Sequence, residues 1–148
     1  MRVKQNLGVL LLTVVVALAG GLAVSGILTT SRTLSSSGSV KAINVEVYWD
    51  LACTQVVSSV DWGIPEPGDV VNRTVYVKNT GSAQMTLALL DSGWNPAVAA
   101  NYITLSWDRE GALIDAGGVV EAVLTLTVSG SITGITDFSF DIVIEGTG

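Results

Sequence analysis

Two patterns of apolar and polar residues divide the chain. From Leu7 to Leu28 runs LGVLLLTVVVALAGGLAVSGIL, without one charged residue. From residue 42 onward, apolar and polar residues alternate with a period of two, the signature of strands with one buried face. Ala42–Trp49 predicts a single strand, with Ile43, Val45, Val47 and Trp49 on one face and Asn44, Glu46 and Tyr48 on the other. Cys53–Trp62 predicts a second, less regular extended segment. The prolines and glycines of Gly63-Ile64-Pro65-Glu66-Pro67-Gly68 force a loop after it. Val70–Lys78 turns Val71, Val75 and Val77 inward, and Arg73 falls on the apolar side, as at a sheet edge. Asn79-Thr80-Gly81-Ser82 predicts a tight turn, with Gln84–Leu90 returning to complete a hairpin.

The second half continues the pattern. Ser92–Asn101 predicts a loop in which Trp94 and Pro96 cap one end of the core. Tyr102–Trp107 predicts a strand, and Asp108-Arg109-Glu110-Gly111 a turn. Val119–Val128 places Val120, Ala122, Leu124, Leu126 and Val128 inward. Gly130–Thr136 predicts a loop, and the last strand buries Phe138, Phe140, Ile142 and Ile144. About seven short strands with regular turn signals predict an all-β fold: one immunoglobulin-like (jelly-roll-like) antiparallel β-sandwich, preceded by an N-terminal hydrophobic export segment.

The apolar run sets the organisation ahead of that sandwich. Its length can cross a bilayer of ~30 Å, and Arg2 and Lys4 before it form a basic head. Small residues at Ala17-Leu18-Ala19, Gly20-Gly21 and Ser25-Gly26 fit a cleaved export signal. A retained membrane anchor and a pilin-like helical core are the alternatives. Residues 1–26 are thus a signal peptide or membrane segment, 27–41 a Ser/Thr-rich linker or donor strand, and 42–148 the sandwich. In the donor reading, Ile27, Leu28, Thr30 and Leu34 are the strand-forming residues of an orphan segment that pairs with another subunit.

Charge and composition narrow the function classes. Of 148 residues, 49% are hydrophobic and 14% charged, enough to bury a core. Residues 41–148 carry four basic residues and all 13 acidic ones, a net of −9. Nucleic-acid binding by counterion release needs the opposite sign, so no nucleic-acid partner is expected. Without histidine, Ser-His and Cys-His nucleophiles are impossible. Cys53 is the single cysteine; it cannot staple the domain, excludes a structural zinc on ligand count, and reads as a small buried apolar residue. Asp108 with Glu110, and Asp137 with Asp141, read as acidic turns. A calcium site at Asp108, Glu110 and Asp115 matches no calcium-loop spacing. The four tryptophans, Trp49, Trp62, Trp94 and Trp107, read as core or loop caps rather than a carbohydrate groove. No enzyme activity and no cofactor are expected. Asn72-Arg73-Thr74 is a glycosylation sequon in an exported chain, with Asn72 facing outward.

Several motifs carry a resemblance. Trp62-Gly63, Pro67-Gly68, Thr74-Val75-Tyr76-Val77-Lys78-Asn79-Thr80-Gly81, Trp94-Asn95-Pro96, Leu105-Ser106-Trp107 and the tail Phe138–Ile144 resemble small exported archaeal β-sandwich proteins. The late Ala-Gly-Gly of the apolar run is similar to the export signals of the camelysin and TasA biofilm-fibre family, to which archaeal bundling-pilus subunits are similar. The resemblance implies a secreted structural subunit at the cell surface, a pilus or biofilm filament. Identical subunits would be joined by donation of an N-terminal strand from Ile27–Ser37. Membrane contact would be confined to export, or to residues 7–28 if uncleaved. The competing expectations are a membrane-anchored monomeric binding module and a type IV pilin-like subunit.

Overall fold

The computed structural model describes residues 36–148. Among the described residues, nine strands build two facing sheets: β1 (Ser36–Ile43), β2 (Val45–Tyr48), β3 (Ser59–Gly63), β4 (Val70–Asn79), β5 (Met85–Asn95), β6 (Ile103–Trp107), β7 (Leu113–Ile114), β8 (Val119–Val128) and β9 (Ser139–Thr147). One sheet has the order β3-β1-β9-β5-β7 and the other β2-β4-β8-β6. The all-β sandwich expected from the alternation is the fold. All pairings but one are antiparallel; β1 lies parallel to β9, with Ser37 opposite Ser139 and Ile43 opposite Glu145.

The core is the set of inward positions the alternation marks. Val75, Val77, Ala122, Leu124, Leu126, Ile142 and Ile144 are fully enclosed. Trp94 stacks on Phe140 at 4.1 Å between ring centroids, and Phe140 leads on to Trp62 at 6.4 Å. Trp94 therefore closes one end of the core as expected, from the end of a longer β5. Ile132 and Ile135, in the loop before β9, are buried in the same core.

Several sequence expectations change. Strand is already present at Ser36, ahead of Ala42, so residues 36–41 of the predicted linker belong to β1. The cause is a close approach. Gly38 faces inward, and a Cβ there would stand 2.6 Å from Ile142 Cδ1. Ser36, also buried, donates its hydroxyl to Gly63 O at 2.7 Å. Small residues are required here, and they are the residues that mimic a spacer. The single strand over 42–49 is two. Asn44, at φ 61, adopts a left-handed turn and donates Nδ2 to Gly146 O at 3.1 Å. This step carries the chain from one sheet to the other. Ile43 and Trp49 consequently lie exposed, while Tyr48 turns in.

The expected hairpin is an arch, because β4 and β5 belong to different sheets. Its pivot is Asn79, 0% exposed, whose Nδ2 donates to Ala83 O and Ile114 O while its Oδ1 accepts from Gly81 N. A buried amide satisfied on several sides fixes the crossing. Of Cys53–Trp62, only Ser59–Gly63 is strand. Cys53 sits at φ 57 in a tight turn, half-buried, rather than in the core.

Candidate functional site: the sheet edges

The chemistry of this molecule lies where its sheets end. An unpaired strand edge offers backbone donors and acceptors to any passing chain. The two flanks of the sandwich treat that exposure differently.

On the β5–β6 flank, the turn after β6 supplies three side-chain caps. Asp108 Oδ1 accepts from Val123 N at 2.8 Å, beyond the point where β6 stops pairing β8. Arg109 Nε donates to Glu121 O at 2.6 Å. Glu110 Oε2 accepts from Leu89 N at 3.0 Å and from Trp107 Nε1 at 2.8 Å. Backbone pairing of Leu87 with Gly111 and Ala112 closes the edge further along. The carboxylates of Asp108 and Glu110 therefore cap backbone N–H groups at the sheet edges. The Asp115 carboxylate is itself held elsewhere, accepting from Gln84 Nε2 at 2.7 Å. Among the described residues no group of three His, Cys, Asp or Glu side chains could hold a metal.

On the β2–β3 flank, the described residues close the upper half and leave the lower half without a pairing strand. β2 pairs β4 only from Tyr76 to Asn79. The chain then turns at Asp50, whose carboxylate accepts from Thr54 N, Thr54 Oγ1 and Gln55 N. Those bonds, the Thr54 hydroxyl first, hold its pKa below the ordinary carboxylate value. The returning segment covers β2 through Val57 N to Val47 O at 2.9 Å. Below Tyr76, β4 from Val70 to Thr74 pairs only β8 among the described residues.

Arg73 spans this opening. Its Nε donates to Asp61 O on β3 at 3.0 Å, and Nη1 donates to Asn72 O at 2.8 Å. The guanidinium carbon lies 5.9 Å from the Trp62 ring centroid, within cation–π range. The edge position expected for Arg73 is where it sits, on a half-edge rather than a whole one. Trp62 is buried beneath it. Among the described residues, five of the ten exposed large hydrophobics, Trp49, Leu51, Val56, Ile64 and Val70, belong to this flank and the loops bounding it.

The proposed donor residues Ile27, Leu28, Thr30 and Leu34 lie outside the described residues. Asn72 is exposed on the outer sheet face, as its sequon requires, and its Oδ1 accepts from Thr125 Oγ1 at 2.9 Å. A glycan on Nδ2 leaves that acceptor in place. Tryptophan roles are mixed: Trp62 and Trp94 build the core, Trp107 is half-buried against Glu110, and Trp49 is exposed. Sequence reasoning missed the caps at Asp108, Arg109 and Glu110. The available signal was three consecutive hydrogen-bonding side chains directly after a short strand.

No family model matches the chain, and no curated protein matches it. Among solved structures, it is similar to the ASH / PapD-like domain of human CEP192 (PapD-like domain 7). The identity is 8% over 78% of this chain and 86% of that one, with a TM-score of 0.36.

Proposed function

We propose that this protein is a secreted structural subunit of an extracellular filament or pilus of the biofilm-matrix type, polymerising by strand addition between identical subunits. The observation that carries the proposal is the incomplete flank. Among the described residues no strand pairs the outer side of β4 from Val70 to Thr74, and exposed apolar side chains gather around that edge. Adding a strand there would satisfy backbone groups and remove apolar surface from water together.

The sequence supplies matching parts. Leu7–Leu28 delivers the domain across a membrane, and Ile27–Leu34 is strand-capable chain directly before β1. The carboxylates best placed for chemistry are occupied by backbone groups, which suits a structural role. Export places the subunit at the cell surface and makes Asn72 available to a glycan.

The test is electron microscopy of the purified full chain beside a variant lacking residues 27–34. That deletion stops short of Ser36, so β1 stays intact. Fibres from wild type and folded monomers from the deletion are expected. Fibres from the deletion would refute strand donation.

A further inference from the structure

We infer that Val70–Thr74 of β4 is the acceptor edge, that residues 27–34 of a second copy occupy it, and that Arg73 latches the edge until they do. The inference rests on the filament reading above and names its site and its control.

The direction of the backbone groups follows from the register. Val47 O is bonded to Val57 N, so Val47 turns its backbone away from β4. Its neighbours Glu46 and Tyr48 therefore face β4, opposite Lys78 and Tyr76. Alternation then aims the N–H and C=O of Asn72 and Thr74 at the same flank. The far side agrees. Val123, opposite Thr74, gives its N–H to Asp108 on the β6 side, so the two are not bonded to each other.

The latch is specific to this edge. Asn72 O is one of the acceptors an incoming strand needs, and Arg73 Nη1 holds it. Arg73 Nε holds Asp61 O, on the facing strand of the other sheet. A strand can add only by displacing a guanidinium that ties both sides of the opening together.

The occupant follows from shape and charge. Ile27-Leu28 and Leu34 put apolar residues at the two ends of a segment spanning about 25 Å when extended. The opening has apolar residues at both ends: Ile64 and Val70 below, Trp49 and Val56 above. Arg32 is the segment's one charge, and Asp61, Glu66 and Asp69 border the lower flank. Running antiparallel to β4, as β2 does, the segment brings Leu34 to Val70. A fold-back within one chain fits worse. Residues 33–35 would have to cross the ~10 Å between the sheets, which removes Leu34 from the pairing.

Three variants of the full chain test this. Thr74→Pro removes an edge N–H without touching the β4–β8 ladder, so it should leave a folded monomer that makes no fibres. Arg73→Ala should shorten the lag of fibre growth about tenfold, the worth of one charged hydrogen bond. Leu34→Cys with Val70→Cys, in a Cys53→Ser background, should give ladders of covalent oligomers with a short bismaleimide; this reads the site even if Thr74→Pro fails to fold. Crosslinks only within one chain overturn the second copy as occupant. Wild-type fibres without the crosslink overturn the edge, leaving the filament reading standing. An unchanged lag in Arg73→Ala overturns the latch. Absence of fibres from wild type sinks the filament reading and this inference with it.

Discussion

Gly38→Ala distinguishes a spacer from a core strand by the sign of its effect. In a tether, the change would be neutral or would stabilise by ~0.4–1 kcal/mol, because alanine narrows the unfolded ensemble. In β1 the added methyl would stand 2.6 Å from Ile142 Cδ1, 3.0 Å from Ile142 Cγ1 and 3.5 Å from Trp62 Nε1. Ile142 is 0% exposed, so its terminal methyl has only other core atoms to move against. Overpacking of this kind costs ~1–3 kcal/mol, offset by up to ~1 kcal/mol from replacing glycine within a strand. A net loss of about 1–2 kcal/mol is expected, a fall in Tm of roughly 4–10 °C at this size. The assay is thermal unfolding followed by tryptophan fluorescence, with the full chain in mild detergent. Ser39→Ala, one residue along and exposed, is the control and should stay within ~0.5 kcal/mol of wild type. Ile142→Val removes the clashing methyl and loses ~0.5–1.5 kcal/mol alone. Combined with Gly38→Ala it should recover part of the loss, a coupling that only contact between the two residues produces. A Gly38→Ala protein that melts at or above wild type would refute the placement of Gly38 against Ile142.

Other expectations test the edges and their charges. Glu110→Ala should speed exchange of the Leu89 amide by about tenfold and leave core amides unaffected, measured by hydrogen exchange with NMR detection. Calcium at ~1 mM should leave Tm unchanged to within ~1 °C, since Asp108, Glu110 and Asp115 are already engaged; a rise of several degrees would show that they bind the ion. The Tyr48 hydroxyl donates to Glu46, and this bond, with burial and the Glu46 charge behind it, pushes its pKa up to about 12. A raised pKa means the fold favours the protonated phenol. The stabilisation is thus complete below the ordinary tyrosine value of ~10 and is lost as pH rises towards about 12. Glu46→Gln should bring the late step of the alkaline ultraviolet titration down towards the ordinary value.

Strands whose faces differ sharply were legible in the sequence. Val119–Val128 and Phe138–Ile144 alternate cleanly, and their inward residues are the buried ones. Legibility failed where a residue's role depends on what lies opposite it. Ser36 and Gly38 are small because Gly63 and Ile142 approach them; composition alone cannot separate that requirement from flexibility. Asn79 looked like the start of a hairpin turn because its partners Ala83 and Ile114 come together only once the sheets face each other. Asp108 and Glu110 read as a plain acidic turn because carboxylates after a strand look the same in sequence whether they face water or a strand edge. In the structure, they accept from the backbone N–H groups of Val123 and Leu89. The half-edge of β4 was invisible for a related reason: it depends on β2 stopping at Tyr48, and Trp49 continued the apolar pattern beyond that point.

The position of β1 bears on how such a subunit carries load. An N-terminal strand is often at an edge, where tension along the chain peels it away one hydrogen bond at a time. Here β1 lies inside its sheet, flanked by β3 and β9, and the chain before it leaves from the same end as Gly63. Tension on residues 27–35 therefore pulls β1 along its own axis. Its bonds to β9 over Ser37–Ile43 and to β3 over Ser36–Ser39 are loaded together, in shear. In the proposed filament that tension passes through β1, across the core at Trp62 and Ile142, and into β4, whose lower half grips the next subunit's segment. β4 is in turn held to β8 from Val70 to Lys78. Each subunit then meets tension through strands paired on both sides, β1 between β3 and β9 and β4 between β2 and β8, while the two-residue β7 bears little of it. Weakening β1 at Gly38 should thus shorten fibres under shear flow at temperatures where the isolated subunit is still folded, and weakening β7 at exposed Leu113 should not.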